Sequence, residues 1–103
     1  MGVRIAGSPE SAPDYTRAAG WFRRAADQGH AGAQAALAFM YHRGQGLTPS
    51  DIEAVKWLSL AAASQNAPEH EAYAVWREWI ARQMTPADVA EGDRLARAWR
   101  GSR

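Results

Sequence analysis

Cysteine is absent from this chain of 103 residues, so disulfide bonds, thiolate zinc ligands and a cysteine nucleophile are excluded. Long apolar runs are absent too, and no stretch approaches the roughly 20 residues that a membrane-spanning helix requires. The segment from Met1 to Gly7 lacks the apolar region of a signal peptide. We therefore expect a cytoplasmic chain that does not enter a membrane, with the periplasm as the alternative if a signal peptide was removed from a longer precursor.

An excess of one charge is also missing, because 12 lysines and arginines stand against 11 acids. Without a basic patch or a block of like charges, the chain lacks the electrostatic footprint of a protein that binds nucleic acid or an anionic membrane. We expect neither as a partner. Four arginines do gather near the C-terminal end: Arg94, Arg97, Arg100 and Arg103. Cations are favoured at a helix C-terminus by the helix dipole, which explains the cluster without a ligand. The alternative explanation is contact with an acidic partner.

One segment of the chain recurs at an offset of 36 residues. In both copies the apolar residues fall at i, i+3, i+4, i+7 and i+8, which is the pattern of one buried helical face. An alanine pair one turn after the aromatic residues lets a neighbouring helix approach closely. The identical pairs are Ala18 and Ala54, Trp21 and Trp57, Ala25 and Ala61, and Ala26 and Ala62. The repetition predicts antiparallel helix pairs stacked on one another.

Capping residues predict where the helices begin. Ser50 and Glu53 fit the Ser-x-x-Glu capping box, in which the hydroxyl and the carboxylate satisfy free N–H groups reciprocally. Thr85 followed by Pro86 is a second N-cap. No alternating run of apolar and polar residues indicates a strand, so the expected fold is all-α. The pattern predicts about five helices, near residues 14–29, 32–43, 51–64, 68–84 and 85–99.

The stretch from Ala33 to Leu47, continued by Asp51, Trp57 and the pair Ala61-Ala62, resembles the Sel-one-like repeat, a relative of the tetratricopeptide repeat. In that family an alanine and a Leu-Gly pair lie on the first helix, a Tyr-x-x-Gly-x-Gly-Val loop follows, and a Trp-Tyr pair precedes two alanines on the second helix. The resemblance implies an αα superhelix, a solenoid that acts as a scaffold or adaptor for a protein or peptide and has no enzymatic activity.

The resemblance also implies how the chain is divided. Residues 1–13 are expected to be a flexible N-terminal segment, residues 14–84 the helical repeats, and residues 85–103 a closing helix and tail like those that follow the last repeat in many bacterial members. The first repeat lacks its first helix, and about three repeats are usually needed for stability. The alternative function is therefore a structural one, in which the chain caps a longer array or forms a homodimer through an exposed repeat end.

In the resembling families the first helices of each pair line the concave face, where a ligand would bind. We selected the residues of two such helices that packing does not require. A mixed set of this kind suits a peptide held by hydrogen bonds and exchangeable charge pairs. The predicted binding residues are Gln34, Ala38, His42, Arg43, His70, Arg77 and Glu78.

Other chemistry is weakly supported. His70-Glu71 is half of the zinc-protease motif His-Glu-x-x-His, but Ala74 replaces the second histidine, so we expect no metal and no cofactor. Carboxylates such as Glu69 are expected to face solvent, and no nucleophile, base and orienting group can be assembled.

Tryptophan is abundant, with five residues in the chain. Trp21 and Trp57 occupy repeat-core positions, and Trp76 and Trp99 lie on apolar helical faces, so core packing is favoured over stacking on single-stranded nucleic acid. On the fourth predicted helix a single apolar face is marked by Ala72, Val75, Trp76, Trp79 and Ile80, although core packing is indicated less clearly for Trp79 than for the other tryptophans. The inner face of the fifth predicted helix comprises Val89, Gly92, Leu95, Ala96 and Trp99.

Overall fold

The computed structural model describes residues 14–65 and 67–102. Over these residues the chain forms five α-helices joined by connections of three to seven residues: α1 (Tyr15–Asp27), α2 (Ala31–Arg43), α3 (Asp51–Ala62), α4 (His70–Ala81) and α5 (Pro86–Gly101). The predicted all-α class is confirmed. The expected flexible segment at residues 1–13 and the terminal Arg103 lie outside the described residues.

Helix α3 is the centre of the fold, because it packs against α2, α4 and α5, whereas α1 packs mainly against α2. The largest fully buried side chains come chiefly from α3: Leu37, Val55, Trp57, Leu58 and Ile80. Complete burial of an apolar side chain of this size contributes about 1.5–3 kcal/mol. Alanines on α2 and α3 fill the remaining core and allow these helices to lie close together.

Side-chain caps begin four helices, two of them at the predicted N-cap residues. At α1 the Asp14 carboxylate accepts a hydrogen bond from the Arg17 N–H at 3.0 Å. Ser50 Oγ accepts a hydrogen bond from the Glu53 backbone N–H at 3.1 Å, and Thr85 Oγ1 accepts one from Asp88 at 3.2 Å. The reciprocal half of the capping box is absent, because the Ser50 N–H donates instead to the Tyr41 carbonyl at 3.0 Å. His30 was not predicted as a cap, but its Nδ1 accepts from the Ala33 N–H at 3.0 Å and begins α2.

Helix α4 is shorter at both ends than the sequence analysis predicted. Pro68 lies in a turn closed by a hydrogen bond from the His70 N–H to the Ala67 carbonyl, so α4 begins at His70. At its other end Gln83 and Met84 donate to carbonyls three residues earlier, which tightens the last turn and ends the α-helix at Ala81.

Two glycines fix how the helices approach each other. Gly46 has φ 74°, and a Cβ atom there would lie 2.4 Å from the Tyr15 carbonyl, so the loop after α2 packs on the beginning of α1. At Gly92 a Cβ atom would lie 2.8 Å from Val55 Cγ1. Gly92 was predicted to face inward, and it allows α5 to contact α3 directly.

The prediction that Trp21 packs in the core is wrong. Trp21 is 63% exposed, whereas Trp57, its counterpart in the repeat, is fully buried. The two residues have the same local sequence pattern but different neighbours. Trp57 is covered by the ring of Trp99 from α5, with the two centroids 6.0 Å apart. Among the described helices, α1 packs chiefly against α2, and Trp21 on α1 is bordered by Arg17 and Arg24.

Candidate functional site

Aromatic side chains from α2 and α4 meet on one side of the molecule. Phe39 contacts Trp76 with centroids 5.3 Å apart and planes at 90°, and His42 contacts Trp79 at 5.5 Å and 78°. From the first contact to the second, the residue number rises by three on both helices. Helices α2 and α4 therefore run parallel here. Trp76 and Trp79 also contact each other at 6.3 Å. We call these four residues the aromatic cluster, and the surface that carries them the α2–α4 face.

Much of this surface is accessible to solvent. Trp76 is 46% exposed, Trp79 49% and the neighbouring Val75 68%. A fully exposed tryptophan has an accessible surface of roughly 250 Å². The exposed fractions of these three side chains then add up to about 350 Å² of accessible surface. A patch of that size lies in the range of roughly 300–600 Å² that on monomeric proteins is often functional. Beside it, Ala74, Val75, Glu78, Trp79 and Arg82 line an open groove of ≈ 470 Å³, the α4 groove.

The aromatic rings are held in place by contacts outside the cluster as well as within it. His42 Nδ1 donates to Asp51 Oδ1 at 2.7 Å, which ties the end of α2 to the beginning of α3. The imidazole is thereby fixed against the Trp79 ring. Edge-to-face contacts of this kind contribute about 0.5–1.5 kcal/mol each beyond the burial of area. The exposed tryptophans are thus ordered without a ligand.

Two of the predicted binding residues are not on the surface. Gln34 is 2% exposed and Ala38 is fully buried, so the prediction that packing does not require these two residues is wrong. The Gln34 amide donates to the Ala26 carbonyl at 3.2 Å, which links α2 to the end of α1. The cause is that α2 packs between α1 and α3 and leaves only a narrow strip exposed.

Arg77 is engaged inside the fold. Its guanidinium donates to both carboxylate oxygens of Asp93, at 2.7 and 2.8 Å, and its Nε donates to Ser59 Oγ at 2.9 Å. The side chain is 19% exposed and joins α3, α4 and α5. A ligand carboxylate would have to displace Asp93, so the placement of Arg77 contradicts its prediction as a surface residue that packing does not need.

The remaining predicted residues divide into two groups. His42, Arg43 and Glu78 lie at or beside the aromatic cluster, Arg43 being one turn beyond Phe39 and Glu78 lining the α4 groove. His70 begins α4, about 13 Å along the helix axis from Trp79. The structure therefore brings three of the seven predicted residues together.

The sequence pattern did not reveal the aromatic cluster, because it indicated the wrong face of α4 as the core face. It predicted that Ala72, Val75, Trp76, Trp79 and Ile80 form one buried face, yet only Ile80 is buried. The stripe that faces the core has members four, three and four residues apart: Tyr73, Arg77, Ile80 and Met84. An arginine interrupts this stripe and hides it. The sequence did contain one signal of the exposed cluster, because α4 carries two apolar stripes. Only one stripe of a helix can face a single core, so the other had to remain exposed.

Charged side chains surround Trp57, at a distance from the aromatic cluster. Lys56 Nζ lies 4.4 Å from the centroid of the Trp57 ring, and the Arg23 guanidinium lies 5.6 Å from it. Burial lowers the pKa of Lys56 from its ordinary value, and the nearby Glu53 carboxylate opposes that shift. The Trp57 indole Nε1 is buried and has no hydrogen-bond partner among the residues that the structure describes. This arrangement attaches α1 to α3.

Within residues 14–65 and 67–102, no three His, Asp or Glu side chains converge in a way that could hold a metal ion. In the same part of the chain, no helix is both long enough and apolar enough to cross a membrane.

The described helices define a helical-repeat protein of stacked antiparallel pairs, in which α2 and α3 form one complete pair. A family model of the Sel1 repeat matches residues 6–30 and 31–66, more than half of the chain. The chain therefore belongs to the Sel1 repeat family, as the sequence resemblance predicted. The second matched range begins at the first residue of α2 and extends past α3. No curated protein and no solved structure matches the chain.

Proposed function

We propose that this chain is a scaffold or adaptor module that binds a peptide segment of another protein on its α2–α4 face. Sel1 repeats are generally protein-interaction modules. The observation that carries the assignment to this face is the aromatic cluster, in which two half-exposed tryptophans from one helix contact aromatic rings from another. We propose that α2 and α4, as first helices of successive pairs, line the concave side.

The order of the rings favours binding. A partner that binds a mobile side chain loses affinity because that side chain must become ordered. The cost is about 0.5–1.5 kcal/mol for each side chain that is immobilised. Trp76 and Trp79 are already held by ring contacts, and His42 by Asp51. Tryptophan is also the residue type that most often dominates binding energy at protein interfaces. The proposed site consists of Phe39, His42, Trp76 and Trp79, with Arg43 and Glu78 at its edges.

Self-association through the N-terminal edge is the second candidate, and the exposed Trp21 on α1 is the observation that favours it. The charges around Trp21 oppose it. If two copies of α1 packed antiparallel across a two-fold axis centred near Trp21, Arg17 of one copy would face Arg24 of the other. This repulsion supports peptide binding as the leading proposal. We propose no catalytic role, and we propose that α5 ends the array.

Selection from a random pool of displayed 12-residue peptides tests the proposed function. The wild-type protein serves as bait, and the selected peptides are measured again on Trp79→Ala and on Trp21→Ala, a matched control with an exposed tryptophan on another helix. We expect Trp79→Ala to lose at least ten-fold in affinity and Trp21→Ala to be unchanged. Failure to select peptides, or equal binding by both variants, would contradict the proposal. Circular dichroism verifies that both variants are helical.

A further inference from the structure

Two arginines at one end of the α2–α4 face have no partner among the residues that the structure describes. Arg43 is the last residue of α2, and Arg82 directly follows the last residue of α4. Because the two helices run parallel, both residues lie at the same end of the face. Arg82 lines the α4 groove beside Trp79. A cation is favoured at a helix C-terminus, so the fold tolerates both charges without an ion pair.

The acidic side chains of this surface are already engaged. Asp51 is hydrogen-bonded to His42, and Glu78 and Asp93 share the guanidinium of Arg77. The face therefore presents an apolar surface and, at one end, two arginines that make no ion pair with the described residues. A complementary ligand carries apolar side chains and, beyond them, negative charge.

The geometry of the rings excludes a cationic ligand held by an aromatic cage. Such a cage needs space between the ring faces for an ammonium group. Here the neighbouring rings contact each other edge to face, with centroids 5.3–6.3 Å apart, so the rings themselves fill the space between them. A lysine-rich or arginine-rich segment would also meet Arg43 and Arg82.

The exposed area distinguishes a peptide from a second copy of the chain. The three exposed apolar side chains offer about 350 Å², whereas a stable protein interface buries roughly 800 Å² on each partner. Two copies joined through this patch would bury less than half of that amount on each side. A short linear segment that buries two or three side chains needs only an area of this size.

From these observations we infer that the α2–α4 face binds a short acidic segment in which an apolar anchor residue is followed or preceded closely by a carboxylate. This inference rests on the proposed function and specifies its ligand. Trp79 and Arg82 are about 4.5 Å apart along the axis of α4, and Trp76 and Arg82 about 9 Å. An extended peptide advances about 3.3 Å per residue, so the carboxylate lies one to three residues from the anchor.

A charge-reversal selection tests this inference. The same random 12-residue pool is selected on the wild-type protein and on the double variant Arg43→Glu/Arg82→Glu. The wild type should enrich peptides with Asp or Glu within three residues of an aromatic or aliphatic residue. The double variant should enrich Lys or Arg at that distance instead. The matched control is Arg97→Glu, a reversal on the exposed side of α5, which should select the same peptides as the wild type.

The single variant Arg82→Glu is selected in parallel, so that the test survives if the double variant does not fold. For a wild-type peptide, Arg82→Glu should weaken binding by at least about two- to five-fold, the effect of losing one exposed charge pair. Affinity should also fall with rising salt, because exposed charges are screened.

The outcomes separate the inference from the function on which it rests. Peptides that depend on Trp79 but show no acidic preference, or the same peptides from wild type and reversed variants, would overturn the inference and leave peptide binding intact. Peptides that do not depend on Trp79, or no selected peptide, would overturn both. A Trp79-dependent dimer in light scattering would replace the peptide by a second copy of the chain.

Discussion

Substitution of Arg77 by alanine should destabilise the fold, because this side chain joins three helices. A fully exposed ion pair contributes about 0–1 kcal/mol and loss of one partner from a fully buried pair costs about 3–5 kcal/mol. The pair of Arg77 and Asp93 lies between these limits, because the side chains are 19% and 32% exposed and Arg77 Nη2 donates to both carboxylate oxygens of Asp93. We therefore expect a loss of about 2 kcal/mol.

Urea unfolding followed by circular dichroism measures this loss, which corresponds to a decrease of roughly 8–10 °C in the melting temperature of a domain of this size. Part of the effect comes from packing, because the aliphatic stem of Arg77 lies in the core stripe of α4. Arg77→Met keeps most of the stem and separates the two contributions. A double-mutant cycle with Asp93→Asn should give a coupling energy of about 1 kcal/mol or more.

An exposed arginine at another site is the control, and Arg97→Ala should change stability by less than about 0.5 kcal/mol. The reasoning fails if Arg77→Ala is as stable as the wild type, or if it loses peptide binding without losing stability. Either result would return Arg77 to the surface role that the sequence analysis gave it.

Other substitutions test the packing of the helices, and each is measured by urea unfolding. Trp57→Ala should cost about 3–5 kcal/mol, but Trp57→Phe only about 1 kcal/mol, because the indole Nε1 has no hydrogen bond to lose; equal costs would refute this. Gly20→Ala should stabilise α1 by about 0.5–1 kcal/mol, since a Cβ atom there would meet no atom of the described residues within 4 Å. Gly46→Ala should destabilise by more than about 1 kcal/mol, because φ is 74° and the Tyr15 backbone is close; a neutral change would contradict the loop packing. Thr85→Ala should cost about 1 kcal/mol through the lost cap of α5, and no loss would show that the cap is dispensable.

The elements of this fold that could be predicted from the sequence are those that local chemistry determines. Ser50 and Thr85 cap their helices because a hydroxyl accepts a hydrogen bond from an N–H only three residues away. The repeated pattern around Trp21 and Trp57 likewise specifies two helices, α1 and α3. Neither feature depends on which other helices lie nearby.

Burial could not be predicted in the same way, because it depends on neighbours distant in sequence. Trp21 and Trp57 share their local pattern, but only Trp57 has α5 against it. On α4 an arginine occupies the buried stripe, and it is tolerated there because Asp93 and Ser59 neutralise and bind its guanidinium. Neither partner is close to Arg77 in sequence. The aromatic cluster was missed for this reason.

The division of the chain into a flexible segment, repeats and a closing helix stays a prediction. The polar exposed side of α5, with Arg94 and Arg97, is consistent with a helix that ends an array. Residues 1–13 lie outside the described part, so the first boundary depends on the sequence alone.

The five tryptophans provide the most direct test of binding on the α2–α4 face, because each indole N–H gives a separate signal in a ¹H–¹⁵N correlation spectrum. A peptide from the random pool is titrated into ¹⁵N-labelled protein, with the signals assigned by single Trp→Phe variants. We expect the Trp76 and Trp79 signals to shift and those of Trp21, Trp57 and Trp99 to remain in place. A shift confined to Trp21 would contradict the account and move the binding site to α1.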